Sequence, residues 1–593
     1  MSPERFSEDE LVERPAVELL GELGWETVNA REEVLGPGGT LGRSSRRDVV
    51  LEHRLLPAVR ALNPDASDAA IEEAAAALSR DRSLIEPTRA SREVYDLLRD
   101  GYLVGWRDDR GEEQTVRIAY VDWRDLARND WLAANQVWIA GDLHTRRVDL
   151  VLFVNGIPLV LAEFKEPGRP VRAAYDENLT DYRDTIPQLF WPNAFVILSN
   201  GSAARLGATF SPWEQFGEWK WIDEGKRGRV ELETAIRGTC EPARLLDLVE
   251  SFVAYSEQPG GLVKSLARYH QYFGVNAAMK ALERIRATGD KQLGVFWHTQ
   301  GAGKSLSMLW FTQKVLRLLP GWWTFVMVTD RKELDDQLHD TFVDAGAVSR
   351  EADVHADTAA HLRDLLHADH RYVFTLIHKF RLRDGESEMP VLSDRSDVIV
   401  ITDEAHRTQY DVLAQNMRKA LPEAAFMGFT GTPLVVGEEL TRREFGDYVS
   451  IYNFRDAIAD GATVPLFYEN RIPELQLVNE ADSLAADRVT IEPRAAALPL
   501  PLAQFVMMRE NRAVHLKECM SLRRQRQRRS SQQGGGAGGA LPVPQAVPIS
   551  IEALEAELHD LLLVDESVNF DAATASSSSS SAARSLPAAA EAR

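Results

Sequence analysis

Apolar residues recur at helical spacing over Val12 to Gly21 and Ala66 to Leu78, whereas Val148 to Val154 and Pro158 to Phe164 form short, nearly continuous apolar runs. The chain to about residue 250 therefore predicts an α/β or α+β unit. From about Gly260 to Phe467 the texture changes: the runs LGVFW, TFVMVTD, YVFTLI, DVIVITD and AAFMGFT are separated by helical segments. That alternation predicts a parallel sheet covered on both faces, a doubly wound domain. After Glu469 the strand signals fade. From Ser521 an Arg/Gln tract, a glycine run, a proline-rich stretch and a serine run follow one another. Such composition buries too little apolar surface to offset chain entropy, so disorder is expected beyond about Arg523, apart from one isolated helix around Ile551 to Leu563.

Composition narrows the class. The 593 residues carry 68 basic and 90 acidic side chains, a formal charge of −22, which argues against a protein that coats nucleic acid through its overall field. Any DNA contact must be a local basic channel. No apolar run approaches the roughly 20 residues needed to cross a bilayer, and the start has no basic segment followed by an apolar one. No membrane association is expected, and the protein is expected in the cytoplasm. Cys240 and Cys519 are too few and too far apart for a disulfide framework or a zinc site.

The segment LGVFWHTQGAGKS runs from a strand through a glycine-rich turn into a helix expected to start near Lys304. Gly301 and Gly303 let the backbone curl so that N–H groups and the helix N-terminus face phosphates; Lys304 reaches the β and γ phosphates and Ser305 ligates Mg²⁺. His298 stands where the general pattern has a small residue. DVIVITDEAH is an apolar strand ending in Asp403 and Glu404, the place where a strand's carboxyl end meets such a loop. Asp403 is expected to hold Mg²⁺ through water, and Glu404 to orient and deprotonate the attacking water. ATP and Mg²⁺ are the implied cofactors.

With the DEAH box and Gly431, Thr432 and Pro433 after the next strand, the set resembles the first motor domain of superfamily 2 helicases and translocases. The resemblance implies that Gln271 in RYHQ reads adenine through its two-sided amide. It also makes Thr329, Asp330, Arg331 and Thr375, at strand ends, candidates for contacts to DNA phosphates.

Upstream, RRVDLVLFVNGIPLVLAEFKEP holds Asp149, then Glu163 and Lys165 two apart on one strand and so on one face. Asp149 and Glu163 can serve as hard oxygen ligands for Mg²⁺, and Lys165 can stabilise the attacking hydroxide and the phosphorane charge in phosphodiester cleavage. On an amphipathic hairpin the same residues would be a solvated polar face. The strands LVLFV and LVLA are apolar enough to be covered on both sides, where such charges cost free energy unless a metal or each other offsets it. A two-residue Asn155-Gly156 turn with regular pairing would put Asp149 and Glu163 on opposite faces. One extra residue is therefore expected at the turn, a three-residue loop or bulge with Gly156 at positive φ, so that Asp149 pairs with Glu163; Pro158 should begin the strand or lie on an edge.

Read in order over about residues 5 to 475, the motifs VERPAVELLGELGW, D…EFK, DYRDTIPQLFWPNAFVILSNG, RYHQ, HTQGAGKS, VTDRKELDDQ, DEAHRTQ and FGDYVSIYNFRDAIADGATVPLFYENR resemble the motor and nuclease (R) subunit of type I restriction enzymes. The resemblance implies a PD-(D/E)XK nuclease domain over 1–255 with Asp149, Glu163 and Lys165 catalytic and Glu13 as the early acidic position. It implies a RecA-like motor domain over 256–470, a remnant of a second motor domain or a linker over 471–522, and a low-complexity tail over 523–593. It also implies double-stranded DNA and the methyltransferase and specificity subunits as partners. The family's Gln-x-x-x-Tyr element reads Asn178 to Tyr182 here, one methylene shorter at its first position. The later motor motifs and C-terminal helical region are not found after 475, so a truncated or frame-shifted product with weak ATPase and no translocation is expected. Two other readings stay open: a nuclease with a regulatory ATP-binding domain, and a degenerate fragment that only binds ATP or partner subunits.

Overall fold

The computed structural model describes residues 8–107, 113–403, 411–431 and 444–463, all within one compact unit, Met1–Tyr468. The expectations for Glu404, Thr432, Pro433, Cys519 and residues 471–522 and 523–593 lie outside the described residues. Two six-stranded sheets organise the unit.

The first sheet comprises β1 (Glu26–Asn29), β2 (Trp131–Ala140), β3 (Thr145–Val154), β4 (Ile157–Phe164), β5 (Phe195–Ser199) and β6 (Ala204–Ala208), side by side in that order. β1 runs parallel to β2 and β4 parallel to β5, while the other neighbours are antiparallel. Every residue of β4 is buried, because both faces are covered as the apolar runs required. On one face Leu150, Leu152, Val154 and Ala162 join Val12, Ala16 and Leu20 in a shared core. On the other, Val151, Phe153 and Leu161 meet Leu179, Tyr182 and Phe190. The first predicted helix is a π-helical turn, Asp9–Glu13, followed by α1 (Arg14–Glu22). The second, α2 (Asp68–Ser79), starts two residues later than predicted because Ser67 caps it, its hydroxyl accepting from Ala70 N at 3.2 Å.

The β3–β4 hairpin resolves the register question in an unexpected place. Its turn is the tight two-residue one: Val154 pairs with Ile157, and Asn155 and Gly156 sit at φ +52° and +76°. A Cβ on Gly156 would lie 2.5 Å from Leu51 O. The three-residue loop is therefore corrected, but the extra residue exists as a bulge inside β4. Phe153 pairs with Pro158 and Leu152 with Val160, leaving Leu159 unpaired; beyond it Leu150 faces Ala162. That shift sets Asp149 beside Glu163. Pro158 is the second residue of β4, at the end where pairing with β5 has not begun, since that ladder starts at Val160.

The second sheet contains β7 (Gln292–His298), β8 (Thr324–Thr329), β9 (Tyr372–Leu376), β10 (Val398–Thr402), β11 (Ala425–Thr430) and β12 (Tyr448–Tyr452), in the spatial order β9-β8-β10-β11-β7-β12. All its pairings are parallel, as a doubly wound domain demands. The sixth strand, β12, was not named in the sequence; it lies at the edge of the sheet and none of its first four residues is buried. One apolar cluster runs from Leu150 and Phe164 through Leu245, Val249 and Phe252 to Phe296, Met327 and Ile401, so the two sheets share a core.

Candidate functional site

Two groups of chemistry-bearing residues assemble, one on each sheet. On the first, Asp149 and Glu163 stand side by side and are buried, with Lys165 just past the end of β4 also buried. Where the ladder opens, Asp149 Oδ2 accepts from Phe164 N at 2.8 Å. Opposite Asp149, Gln136 adopts φ +56°, a strained backbone for a residue with a side chain. Its amide donates to Glu13 Oε2 at 2.6 Å and lies 3.5 Å from Asp149 Oδ1; Asn135 donates to Glu13 Oε1 at 2.6 Å. Glu13 thus closes one side of the group from the π-helical turn.

The other side is closed by a second π-helical turn, Ala174–Leu179, continued by α3 (Thr180–Thr185). Asn178 spans the site from this turn: its Nδ2 donates to Glu163 Oε1 at 2.5 Å and its Oδ1 accepts from Lys165 Nζ. The shorter amide therefore reaches both partners. Tyr182 Oη lies 3.1 Å from Glu163 Oε1 and 3.2 Å from the carbonyl of Arg147. Wide π turns at both edges fit the tendency of such turns to occur where side chains must converge.

Electrostatics are dominated by burial. Asp149 is pushed up to about 6, first by loss of water and then by Glu13, against the pull of the Phe164 N–H. Glu163 is held well above the usual carboxylate range by burial and by Asp149 beside it. Glu8 is raised by burial and by the charge on Asp149. Glu163 Oε2 is buried with no N–H donor of its own, and the Glu163 carboxyl shares a proton with Asp149 beside it, a buried carboxyl pair of the kind a cation satisfies. Among the described residues no three His, Cys, Asp or Glu side chains converge as a metal-ligand set. Two carboxylates suffice for Mg²⁺, which keeps several waters, so the residues fit that ion. Glu8 and Gln136 were missed in the sequence, where nothing about their spacing ties them to Asp149.

On the second sheet, β7 leads through a turn with Gly301 and Gly303 at φ +86° and +75° into α5 (Lys304–Leu318), which starts at the residue expected. Lys304 Nζ lies 3.5 Å from His298 O, and Ser305 is half-buried. Gln271, on α4 (Tyr269–Thr288), is buried under this turn. Its Nε2 donates to Gly303 O at 3.1 Å and Ala302 O at 3.3 Å, while its Oε1 accepts from Arg268 N at 2.9 Å. In this state the amide braces the phosphate loop. A Cβ on Gly303 would meet Gln271 Nε2 at 2.5 Å, so glycine there permits the close approach as well as the left-handed backbone. His298 is buried and its Nε2 pairs with Ser450 Oγ at 2.7 Å on β12. Burial and the neighbouring His270 and Lys304 hold it well below the usual imidazole range, so it adds no charge to the loop. Asp403 follows β10 at the same sheet edge and is anchored by its N–H to Val328 O at 2.9 Å. Thr329 and Thr375 are buried, their hydroxyls turned to the carbonyls of Arg331 and Leu376; Arg331 is exposed.

A mixed sheet carrying a buried carboxylate pair is followed by a parallel sheet whose glycine-rich turn opens onto a helix N-terminus. Residues 5–215 match the family described as type I restriction enzyme R protein N terminus, and residues 270–495 match SWI2/SNF2 ATPase. The chain is 34% identical over 536 residues to the type I restriction enzyme HindI endonuclease subunit of Haemophilus influenzae, covering 85% of this chain and 50% of that one. It is 30% identical over 519 residues to a Methanocaldococcus jannaschii relative named for the MjaIXP type I restriction endonuclease subunit, covering 82% and 48%. The chain belongs to the family of type I restriction enzyme R (endonuclease) subunits, and it spans about half the length of these curated relatives. Among the described residues no helix is long and apolar enough to cross a membrane.

Proposed function

We propose that this chain supplies the DNA-cleaving and ATP-hydrolysing parts of a type I restriction endonuclease, an ATP-dependent site-specific deoxyribonuclease acting in the cytoplasm. The first sheet, within 1–255, serves as a PD-(D/E)XK nuclease, and the second, within 256–470, as the first motor domain. The observation that carries this reading is the convergence of Asp149, Glu163 and Lys165, which the Leu159 bulge brings to one face.

Asp149 and Glu163, side by side and buried, would hold Mg²⁺. When bound, the ion supplies a water of lowered pKa and a counter-charge for the pentavalent phosphorus. Lys165 holds its ammonium toward the same face, where it steadies the attacking hydroxide and the developing negative charge. Asn178 fixes that ammonium relative to Glu163, and Phe164 N–H fixes the Asp149 carboxylate. On the second sheet Gly301, Gly303 and Lys304 would cradle ATP phosphates, Ser305 and Asp403 would hold the accompanying Mg²⁺, and Glu404 would activate water. Gln271 would pass from its loop contacts to adenine when ATP enters. On this reading the partners are duplex DNA and the methyltransferase and specificity subunits.

The test is cleavage of unmodified plasmid by the full chain with its cognate partner subunits, Mg²⁺ and ATP. Asp149→Ala should abolish cleavage and leave ATP hydrolysis, whereas Lys304→Ala should abolish both. Cleavage surviving Asp149→Ala would refute the site assignment.

A further inference from the structure

Beside the carboxylate pair lies a basic and aromatic surface that none of the chemistry above uses. Arg147 precedes Asp149 by two residues on β3, so both project from one face about 7 Å apart. Across the ladder Arg147 pairs with Trp138, and Trp138 is two residues from the Gln136 that reaches Asp149. The guanidinium of Arg147 lies 5.5 Å from the Trp138 ring centroid and that of Arg46 lies 5.3 Å from it. One ring thus carries two arginines at the mouth of the site.

Charge pairing separates these two from their neighbours. Arg43 is buried and held by Glu33 through bonds of 2.7 and 2.8 Å, Arg47 pairs with Asp142, and Arg146 pairs with Asp181. Arg147 is exposed and makes no ion pair among the described residues, while Arg46 reaches Glu33 only at 3.7 Å. In a chain of net charge −22, an exposed arginine left without a carboxylate beside two buried carboxyls points to an anionic ligand.

The surface is also held in place. The loop carrying Arg46 is tied to β2 by Ala140 N donating to Arg46 O at 2.9 Å, and Trp138 Nε1 donates to Arg31 O at 3.0 Å. Stacking on the ring orients a guanidinium while leaving its N–H fork free for a phosphate. Tyr182 Oη touches both the Arg147 carbonyl and Glu163 Oε1, so the position of Arg147 is linked to that of the carboxylate pair.

We propose that Arg46, Trp138 and Arg147 form a phosphate-gripping platform that seats the backbone of duplex DNA against the Asp149–Glu163 site. This rests on the nuclease reading above and assigns it a substrate-positioning surface. A phosphate contact contributes salt dependence that a purely structural arginine does not.

The experiment measures binding of a fluorescent 20-base-pair duplex to the full chain, without ATP and with Ca²⁺ in place of Mg²⁺, as a function of salt. Arg147→Ala should weaken binding about threefold to tenfold and lower the slope of log affinity against log salt by about 1. Arg147→Lys should restore the slope but only part of the affinity, because lysine keeps the charge and loses the stacked fork. Arg60→Ala removes an exposed arginine paired with Asp68 and should leave the slope unchanged. An unchanged slope for Arg147→Ala, or an equal drop for Arg60→Ala, overturns the platform. Wild-type chain that binds in this Arg147-dependent way but never cuts unmodified plasmid when given Mg²⁺, ATP and its cognate partner subunits leaves the platform standing and removes the nuclease reading instead.

Discussion

Two carboxyls side by side and out of water cannot both ionise cheaply. Asp149, raised to about 6, therefore lends stability to the metal-free protein that is fully present below about pH 4 and lost as pH rises through about 6. Asp149→Asn removes the charge and keeps an acceptor for Phe164 N–H. Its metal-free form should match wild type in stability near pH 4 and exceed it by about 1 to 3 kcal/mol at pH 8, read by thermal or urea unfolding at both pH values. A constant difference across that range would contradict the proposed origin. Asn178 acts through its neighbours, holding Lys165 and Glu163 at once. Asn178→Ala should lower Mg²⁺-dependent cleavage on the order of 10- to 100-fold while ATP hydrolysis stays within about twofold. Equal losses of both activities would point to misfolding. At this scale Glu163 and Lys165 were legible from their two-residue spacing, whereas the face of Asp149 depended on the register of the hairpin. Glu8 and Gln136 were not legible, because their approach is set by tertiary contacts and, for Gln136, by one left-handed backbone angle.

The hairpin shows why element boundaries can be read when register cannot. Ile157 to Ala162 are all apolar and all buried, so no polar alternation marks which residue is out of phase, and the bulge at Leu159 leaves no trace in the sequence. The extra residue expected at the turn lies instead three residues into the strand. The turn itself is stabilised from outside: Asn155 Nδ2 donates to Tyr120 O at 2.8 Å and Asn129 Oδ1 at 2.9 Å, and Oδ1 accepts from Asp130 N at 2.7 Å. Asn155→Ala would lose these buried bonds and strain φ +52°, costing about 2 to 4 kcal/mol in chemical denaturation. Asn155→Gly should cost less, since glycine tolerates the angle. Equal costs would show that the backbone angle contributes nothing.

Across the whole molecule, the two sheets are joined by polar contacts as well as by the shared core. Lys314, on the helix that follows the phosphate loop, is buried and pairs with Asp247 and, at 2.6 Å, with Asn276 Oδ1. Asp247→Ala strands a buried ammonium and should cost about 2 kcal/mol, while calorimetry of the full chain should show the two sheets melting together. Separate transitions for the two sheets would contradict the shared core. The apolar runs marked β3, β4 and β7 to β11; β2, β5 and β6, although largely buried, were not named as strands in the sequence, and neither were the edge strands β1 and β12. The central claim is that the carboxylate pair is a divalent-cation site, and calorimetric titration of the nucleotide-free full chain with Mn²⁺ tests it most directly. The account predicts one site whose affinity rises between pH 5 and pH 7 as Asp149 ionises, and which Glu163→Gln abolishes. Undiminished binding by Glu163→Gln, or affinity independent of pH over that range, would contradict it.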